Sequence, residues 1–480
     1  MQFVSFDFIA VLPLVALITY FIPQKYRYIW MLVISAAFYA SLSLIALPVL
    51  LINIVITYFS GIMIDKNVKK AGTSSDDEKD AKSGNTAGMI LAAAIVVELG
   101  LMLLLRSDRI FNVIGISFFT LKSVGYLVDV YKGKQEAEKD FLILALFVSF
   151  FPQVLSGPID RAGLLIPQLK APVSVDFDRL RDGFLQMLWG YFLKLVIADR
   201  LSIFVNEVYA APESFEGTII AIATLFYTFE IYCDFAGYSS IAIGTARLLG
   251  IDVNKNFDCP YLSKSIPEFW RRWHISLSSY LKDYVYIPLG GSRKGTNRKY
   301  LNILIVFAVS GIWHGSALTF LVWGLLHALY QIAGYLTAPF REKAMAALML
   351  EKDAFSHKLI SVLFTFFLVN LAWVFFRASS LSQALLIIRK SFEFTPWVLS
   401  DNSLYHVGLS RASLGVGALG ILIMTVADII SLRGVLLRSF ILKQALWLRW
   451  LIMITAILFI FIFGIWGSGY NASSFIYQQF

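Results

Sequence analysis

Charged side chains are scarce in this chain. Asp, Glu, Lys and Arg together make up 15% of its 480 residues, against about 25% in a soluble domain, so water is not its main solvent. Cysteine is nearly absent: Cys233 and Cys259 stand in unlike contexts at no metal-ligand spacing. That argues against a disulfide framework or a zinc site, no metal is expected, and both read as packing residues. A basic n-region before the first apolar segment and an A-x-A-like site after it are both missing, so no cleaved signal peptide is expected. No internal repeat and no soluble second domain are visible. The net charge of +9 does not point to nucleic acid, because the basic residues sit in short loops between apolar runs, as in the cytoplasmic loops of membrane proteins.

What is abundant is apolar. The chain is 58% hydrophobic and 15% aromatic, with a mean hydropathy of +0.70. Phe8–Ile22, Met31–Ile64, Met89–Leu105, Leu359–Phe376 and Leu446–Trp466 approach or exceed the roughly 20 apolar residues a bilayer crossing needs. Met31–Ile64 is long enough for two helices, broken near Pro48. With the weaker windows, roughly 11–13 membrane segments are expected in an all-α integral membrane protein. The lipid bilayer is therefore its first partner.

Charge asymmetry orients the chain. Lys25 and Arg27 follow the first apolar segment, which places that loop in the cytoplasm and the N-terminus outside. Arg433, Arg438, Lys443 and Arg449 precede the last apolar segment, and Gly467–Phe480 carries no charged side chain. The tail at 467–480 is thus expected outside as well, so the number of crossings is even. A polar stretch at 65–88 mixes lysines, acids, Gly, Ser and Thr and reads as a flexible loop. From Asp252 to Tyr300 the chain is too polar for a lipid-facing span. Pro260, Pro267, Pro288 and Gly290–Gly291 break it into short pieces. Irregular backbone at membrane depth is tolerated only when buried in protein or lining a cavity, so this stretch is a peripheral cap or the wall of a chamber.

Two of the five histidines frame the chemistry. His274 lies in EFWRRWHISLSSYLKDYVYIPLGG, and His314 in SGIWHGSALTFLVWGLLHALY, which also holds His327. An ionisable residue inside an apolar run is costly and is a functional-site hypothesis by default. Imidazole accepts a hydroxyl proton near neutral pH without carrying permanent charge, and Gly311 and Gly315 would let another group approach it closely. The alternative is a buried histidine bonded to a neighbouring helix, and spacing alone does not choose. His327, 13 residues beyond His314, falls about 220° around a straight helix and reads as structural. Glu230 and Asp234, four apart on one helical face, fit either an acid/base pair or structural hydrogen bonding. Asp160–Arg161 reads as an ion pair or cap at a turn. Arg271, Arg272, Lys282, Arg293, Lys294, Arg298 and Lys299 fit either the phosphates of a donor or ordinary positive-inside markers.

Glu268–Gly291 followed by GIWHG at Gly311–Gly315 resembles the membrane-bound O-acyltransferase (MBOAT) family, in its bacterial alginate and peptidoglycan O-acetyltransferase branch. GISFFTLKSVGYLVDVYKG at Gly115–Gly133 and FPQVLSGPIDR at Phe151–Arg161 agree with that branch. So do YTFEIYCDFAGYSSIAIG at Tyr227–Gly244, NFDCPY at Asn256–Tyr261 and WVFFRA at Trp373–Ala378. The resemblance covers about residues 4 to 466, most densely 115–330. It implies one membrane domain over 1–466 with its catalytic core at 252–330 and short re-entrant or peripheral helices around a central tunnel. His314 is then the catalytic histidine and His274 the second polar position, both facing one chamber. Acetyl-CoA is the implied donor, with no bound cofactor, and an extracellular or cell-wall polysaccharide the implied acceptor in a bacterial cell membrane. An extracytoplasmic SGNH/esterase-like acetyltransferase is the implied partner. The same enzyme class allows D-alanyl transfer from a carrier-protein thioester instead. A transporter without chemistry would need charges lining a path or paired broken helices in two repeated halves, and neither is seen.

The chain ends Phe475-Ile-Tyr477-Gln-Gln-Phe480. By composition this is an interfacial aromatic anchor. It also resembles F-x-Y-x-x-F, the C-terminal motif of the small membrane peptides that accompany the family's D-alanyl transferases. That likeness implies Tyr477 as a transient acyl acceptor, with Phe475 and Phe480 docking the tail.

Overall fold

The computed structural model describes residues 2–71, 77–106, 113–347, 349, 351 and 353–466. The tail with Phe475, Tyr477 and Phe480 lies outside the described residues. Among the described residues the regular structure is entirely helical. Seven helices are long and apolar enough to cross a membrane by length and composition: Leu47–Ala71, Ser83–Arg106, Gly217–Leu248, Leu318–Ala347, Phe355–Arg377, Arg411–Leu432 and Leu446–Phe463. Other apolar windows form shorter helices, among them Phe6–Phe21 and Phe141–Ser149, and these account for the higher count expected from hydropathy.

Helix ends follow local chemistry. The Asp140 carboxylate accepts from the N–H groups of Leu142 and Ile143 and opens Phe141–Ser149. The hydroxyls of Ser380 and Ser410 open Leu381–Ser391 and Arg411–Leu432 in the same way. Each satisfies N–H groups that have no partner inside the helix. The long window Met31–Ile64 divides as expected, into Gln24–Leu42 and Leu47–Ala71, with Pro48 in the first turn where its missing N–H costs nothing.

The polar stretch 65–88 is not a loop throughout. Leu47–Ala71 and Asp77–Arg106 carry helix across most of it. Lys69 meets Asp65 one turn earlier at 3.0 Å and Glu136 at 3.1 Å, and Lys, Ala and Glu are good helix formers. Composition alone overstated its irregularity.

By the compactness of their packing the described residues fall into two units, 2–187 with 238–254, and 188–237 with 255–466. The first holds a buried polar chain. Lys122 Nζ donates to Gln153 Oε1 at 2.9 Å, Gln153 Nε2 to Asp160 Oδ2 at 2.7 Å, and Asn254 Nδ2 to Asp160 Oδ1 at 2.8 Å. Asp160 is thus a hydrogen-bond acceptor for amides, while Arg161 takes the cap position before Ala162–Lys170.

The second unit contains a buried ion cluster that sequence reading missed. The helix through Tyr191 continues as a π-helical segment, Phe192–Ala198. Lys194 on it meets Asp199 Oδ1 at 2.7 Å and Asp234 Oδ1 at 2.6 Å, all three 2% exposed. Gly237 makes this possible: a Cβ there would stand 2.9 Å from the Gly190 carbonyl and 3.0 Å from the Lys194 nitrogen. Asp234 is therefore half of a structural ion pair. Lys194→Met is expected to lower stability by about 3–5 kcal/mol, because it strands the buried carboxylates of Asp199 and Asp234. Thermal unfolding in detergent measures this, and an unchanged midpoint refutes it.

Candidate active site

The site begins on irregular backbone. Two main-chain bonds tie residues 256–258 to the junction of two seven-residue helices, Ile266–Arg272 and Ile275–Leu281. Asp258 N–H donates to the Arg272 carbonyl at 3.0 Å, and Ile275 N–H to the Asn256 carbonyl at 2.9 Å. Between the helices His274 adopts the left-handed conformation at φ 44° and ψ 54°, a strained position for a non-glycine residue that the surroundings must hold. Phe257, Tyr261, Phe269 and Trp273 pack into one aromatic block beside it, with Phe257 and Trp273 centroids 5.0 Å apart.

His274 is buried and its tautomer is set by geometry. Asn256 Oδ1 accepts from Ser276 N at 3.2 Å and from Ser276 Oγ at 2.9 Å, and a backbone N–H only donates. The Asn256 atom there is oxygen, so His274 Nδ1, 3.1 Å away, carries the proton and Nε2 the lone pair. Burial pushes its pKa down to about 3. His274 is thus a neutral hydrogen-bonding group at physiological pH. Asn256 and Ser276, which orient it, were not singled out from sequence; the NFDCPY segment was the available signal.

His314 is the last residue of Thr296–His314, where helix Leu318–Ala347 packs closely. A Cβ on Gly311 would stand 2.5 Å from the Phe320 carbonyl, and one on Gly315 about the same distance or less from the Phe320 ring. The close approach expected at these glycines is therefore made by the next helix. The His314 ring lies 4.7 Å from Trp313, 5.0 Å from Trp323 and 5.2 Å from Phe376. Trp323 and Phe376 lie near the ends of two of the membrane-length helices, so the imidazole is enclosed by aromatic side chains where these helices meet. Trp313 also lies 6.1 Å from the His274 ring. The two histidines, 40 positions apart in sequence, thus share one aromatic neighbour. Both are sealed from solvent, at 1% and 2% exposure, so a substrate reaches them only when lining side chains move.

His327 accepts a hydrogen bond at Nδ1 from Trp270 Nε1 at 3.2 Å and stacks on Phe269, in keeping with its structural reading. Among the proposed donor contacts, Arg272 is engaged inside the protein, paired with Glu268 at 2.9 Å and donating to the Asp258 carbonyl. Arg271, Lys282 and Arg293 are exposed. Asn302 Nδ2 holds the turn before Arg293 by donating to the Gly291 carbonyl at 2.8 Å. The cysteines are free and buried. Burial and the nearby Asp428 carboxylate push the Cys259 thiol up to about 12, too weak an acid for a ready nucleophile.

Comparison with known proteins bears on the same residues. Positions 139–381 match the MBOAT, membrane-bound O-acyltransferase family. A probable alginate O-acetylase of Pseudomonas fluorescens is 33% identical over 84% of this chain and 78% of its own length. The peptidoglycan O-acetyltransferase of Helicobacter pylori is 32% identical over 79% of this chain and 77% of its own. A teichoic acid D-alanyltransferase of Bacillus subtilis is 29% identical over 46% of this chain and 58% of its own. All-helical architecture, membrane-length helices and a buried imidazole in the matched region agree with these matches, and the chain belongs to the membrane-bound O-acyltransferase family and is an acyltransferase.

Proposed function

We propose that the chain moves an acetyl group from a cytoplasmic acetyl-CoA-type thioester across the membrane for O-acetylation of an extracellular or cell-wall polysaccharide. The observation that carries this is His314, an imidazole held between membrane-length helices, in a chain whose relatives at about a third identity are named for O-acetylation of alginate and peptidoglycan. His314 takes the proton of the acceptor hydroxyl as its oxygen attacks the thioester carbonyl. The C–O bond forms, the C–S bond breaks, and the imidazolium returns the proton to the departing thiolate. His274 orients a donor group through Nε2. Tyr477 is the first acceptor, and an SGNH/esterase-like partner outside the membrane passes the group from the tyrosine ester to the polysaccharide. Both chain ends then lie outside.

Arg271, Lys282 and Arg293 meet the donor's phosphates, while Arg272 stiffens the site through Glu268. Helix Ile275–Leu281 joins buried His274 to exposed Lys282, a span of about 12 Å, which a pantetheine arm bridges. In membranes given acetyl-labelled coenzyme A, label is expected in the polysaccharide. The double variant Lys282→Glu/Arg293→Glu is expected to raise the KM for acetyl-CoA by about a hundredfold, roughly tenfold for each lost phosphate contact, with kcat little changed. Absence of label with acetyl-CoA, but transfer from a D-alanyl carrier, overturns the choice of acyl group. An unaltered KM overturns the phosphate contacts.

A further inference from the structure

We propose that Trp323 and Phe376 form an aromatic cradle that stabilises the imidazolium His314 becomes while it holds the acceptor's proton. This rests on His314 being the base. The centroid distances, 5.0 and 5.2 Å, lie inside the roughly 6 Å range over which an aromatic face attracts a cation. The interplanar angles are 90° and 72°, so each pair meets edge to face, and we take the imidazole edge to be the one that meets the aromatic face. The cradle is built rather than incidental. Trp323 is itself clamped, stacked on Trp373 at 5.7 Å and 17° and edge-on to Trp270 at 5.7 Å. Phe376 closes the other side and packs on Trp323 at 5.0 Å and on Trp373 at 5.4 Å. Both rings are buried, so water does not screen the interaction.

Several charged and titratable groups on the packed elements are engaged elsewhere or lie far from the rings. His327, one helical turn beyond Trp323, accepts from Trp270 at Nδ1 and so is a neutral ring there. His274, reached through Trp313, donates to Asn256. Arg377 follows Phe376, but its guanidinium binds Asn206 and lies 5.5 Å from the Tyr209 ring. Glu268 and Arg272 on Ile266–Arg272 are paired with each other. Arg298 and Lys299 stand near the opposite end of the His314 helix, about 22 Å away along its axis. An aromatic cradle has a catalytic advantage over a fixed carboxylate here. It favours the charged form without presenting a second base to the thioester or a permanent charge to the apolar interior.

The experiment is the pH dependence of kcat/KM for acyl transfer in membranes, normalised to protein amount, for Trp323→Leu, Trp323→Phe and Phe376→Leu. Loss of the cradle weakens the imidazolium, so the acid limb is expected to move to lower pH by about half to one unit in Trp323→Leu. The plateau kcat is expected to fall about three- to tenfold, with the donor KM unchanged. Trp323→Phe keeps an aromatic face and is expected to restore most of the limb. Phe376→Leu shifts it the same way by less. An unmoved limb in both leucine variants, or a shift to higher pH, overturns the cradle. If Trp323→Leu does not fold, Phe376→Leu decides it alone, and an unmoved limb there overturns the cradle. His314→Ala separates the two ideas: full activity there removes the base, whereas an inactive His314→Ala with unmoved limbs in the cradle variants removes only the cradle.

Discussion

His314→Ala is expected to lower acyl transfer by roughly 10²–10⁴-fold, the usual contribution of a positioned general base, which puts it at or below background. Two causes would look alike in a single variant. Truncating a side chain buried against Trp313, Trp323 and Phe376 leaves a cavity, and comparable core truncations cost about 2–5 kcal/mol. Losing the basic nitrogen removes the proton acceptor. His314→Gln distinguishes them, because it fills most of the space and hydrogen-bonds but does not take a proton at neutral pH. If packing were the cause, glutamine would restore transfer. If basicity is the cause, both variants are inactive while glutamine restores the thermal midpoint in detergent. The measurement is labelled acyl transfer in membranes at matched protein level, and near-parent transfer by either variant removes His314 from the chemistry.

His314 was legible in the sequence for a physical reason. A lone imidazole in an apolar run has to be accommodated, and that cost shows without any structure. Lys194, in the apolar run LWGYFLKLVIADR, is accommodated at similar cost. It escaped notice because a long lysine stem ordinarily snorkels to water, whereas here a π-helical segment turns it inward onto Asp199 and Asp234. Trp323 and Phe376 were invisible as site residues, since an aromatic on a membrane helix looks the same whether it faces lipid, core or an imidazole. Asn256 was hidden for the opposite reason: it lies on irregular backbone, where no period says which way a side chain points. The count of crossings shows the same limit. Phe141–Ser149 is as apolar as a span, yet most of its residues are buried in protein, and hydropathy does not separate those two solvents. In the polar stretch 65–88, composition points to a flexible loop, while one-turn pairs such as Asp65–Lys69 support helix over part of it.

Tyr477→Phe is expected to abolish O-acetylation of the polysaccharide while leaving the chain folded and inserted. The substitution removes one oxygen and keeps the ring, so whatever seating the tail has by apolar contact survives. The tail's lack of charged side chains and its F-x-Y-x-x-F pattern motivate the choice. A phenol suits a relay because its pKa near 10 lets a histidine assist its attack on a thioester. Its aryl ester then gives up the acyl group more readily than an alkyl ester, which a second transferase outside the membrane needs. Phe475 and Phe480 act as apolar grips, so Phe480→Ala is expected to weaken transfer partially, in contrast to the complete loss in Tyr477→Phe. Chemistry and seating therefore separate within six residues. The same peptide reports the acyl group: mass spectrometry of the tail, trapped when the outer acceptor is withheld, distinguishes an acetyl from an alanyl ester by mass and charge. An unmodified peptide under those conditions, together with parent-level O-acetylation by Tyr477→Phe, makes the tail an anchor and has the acyl group pass from the thioester, with His314 as base, directly to an acceptor that enters from outside.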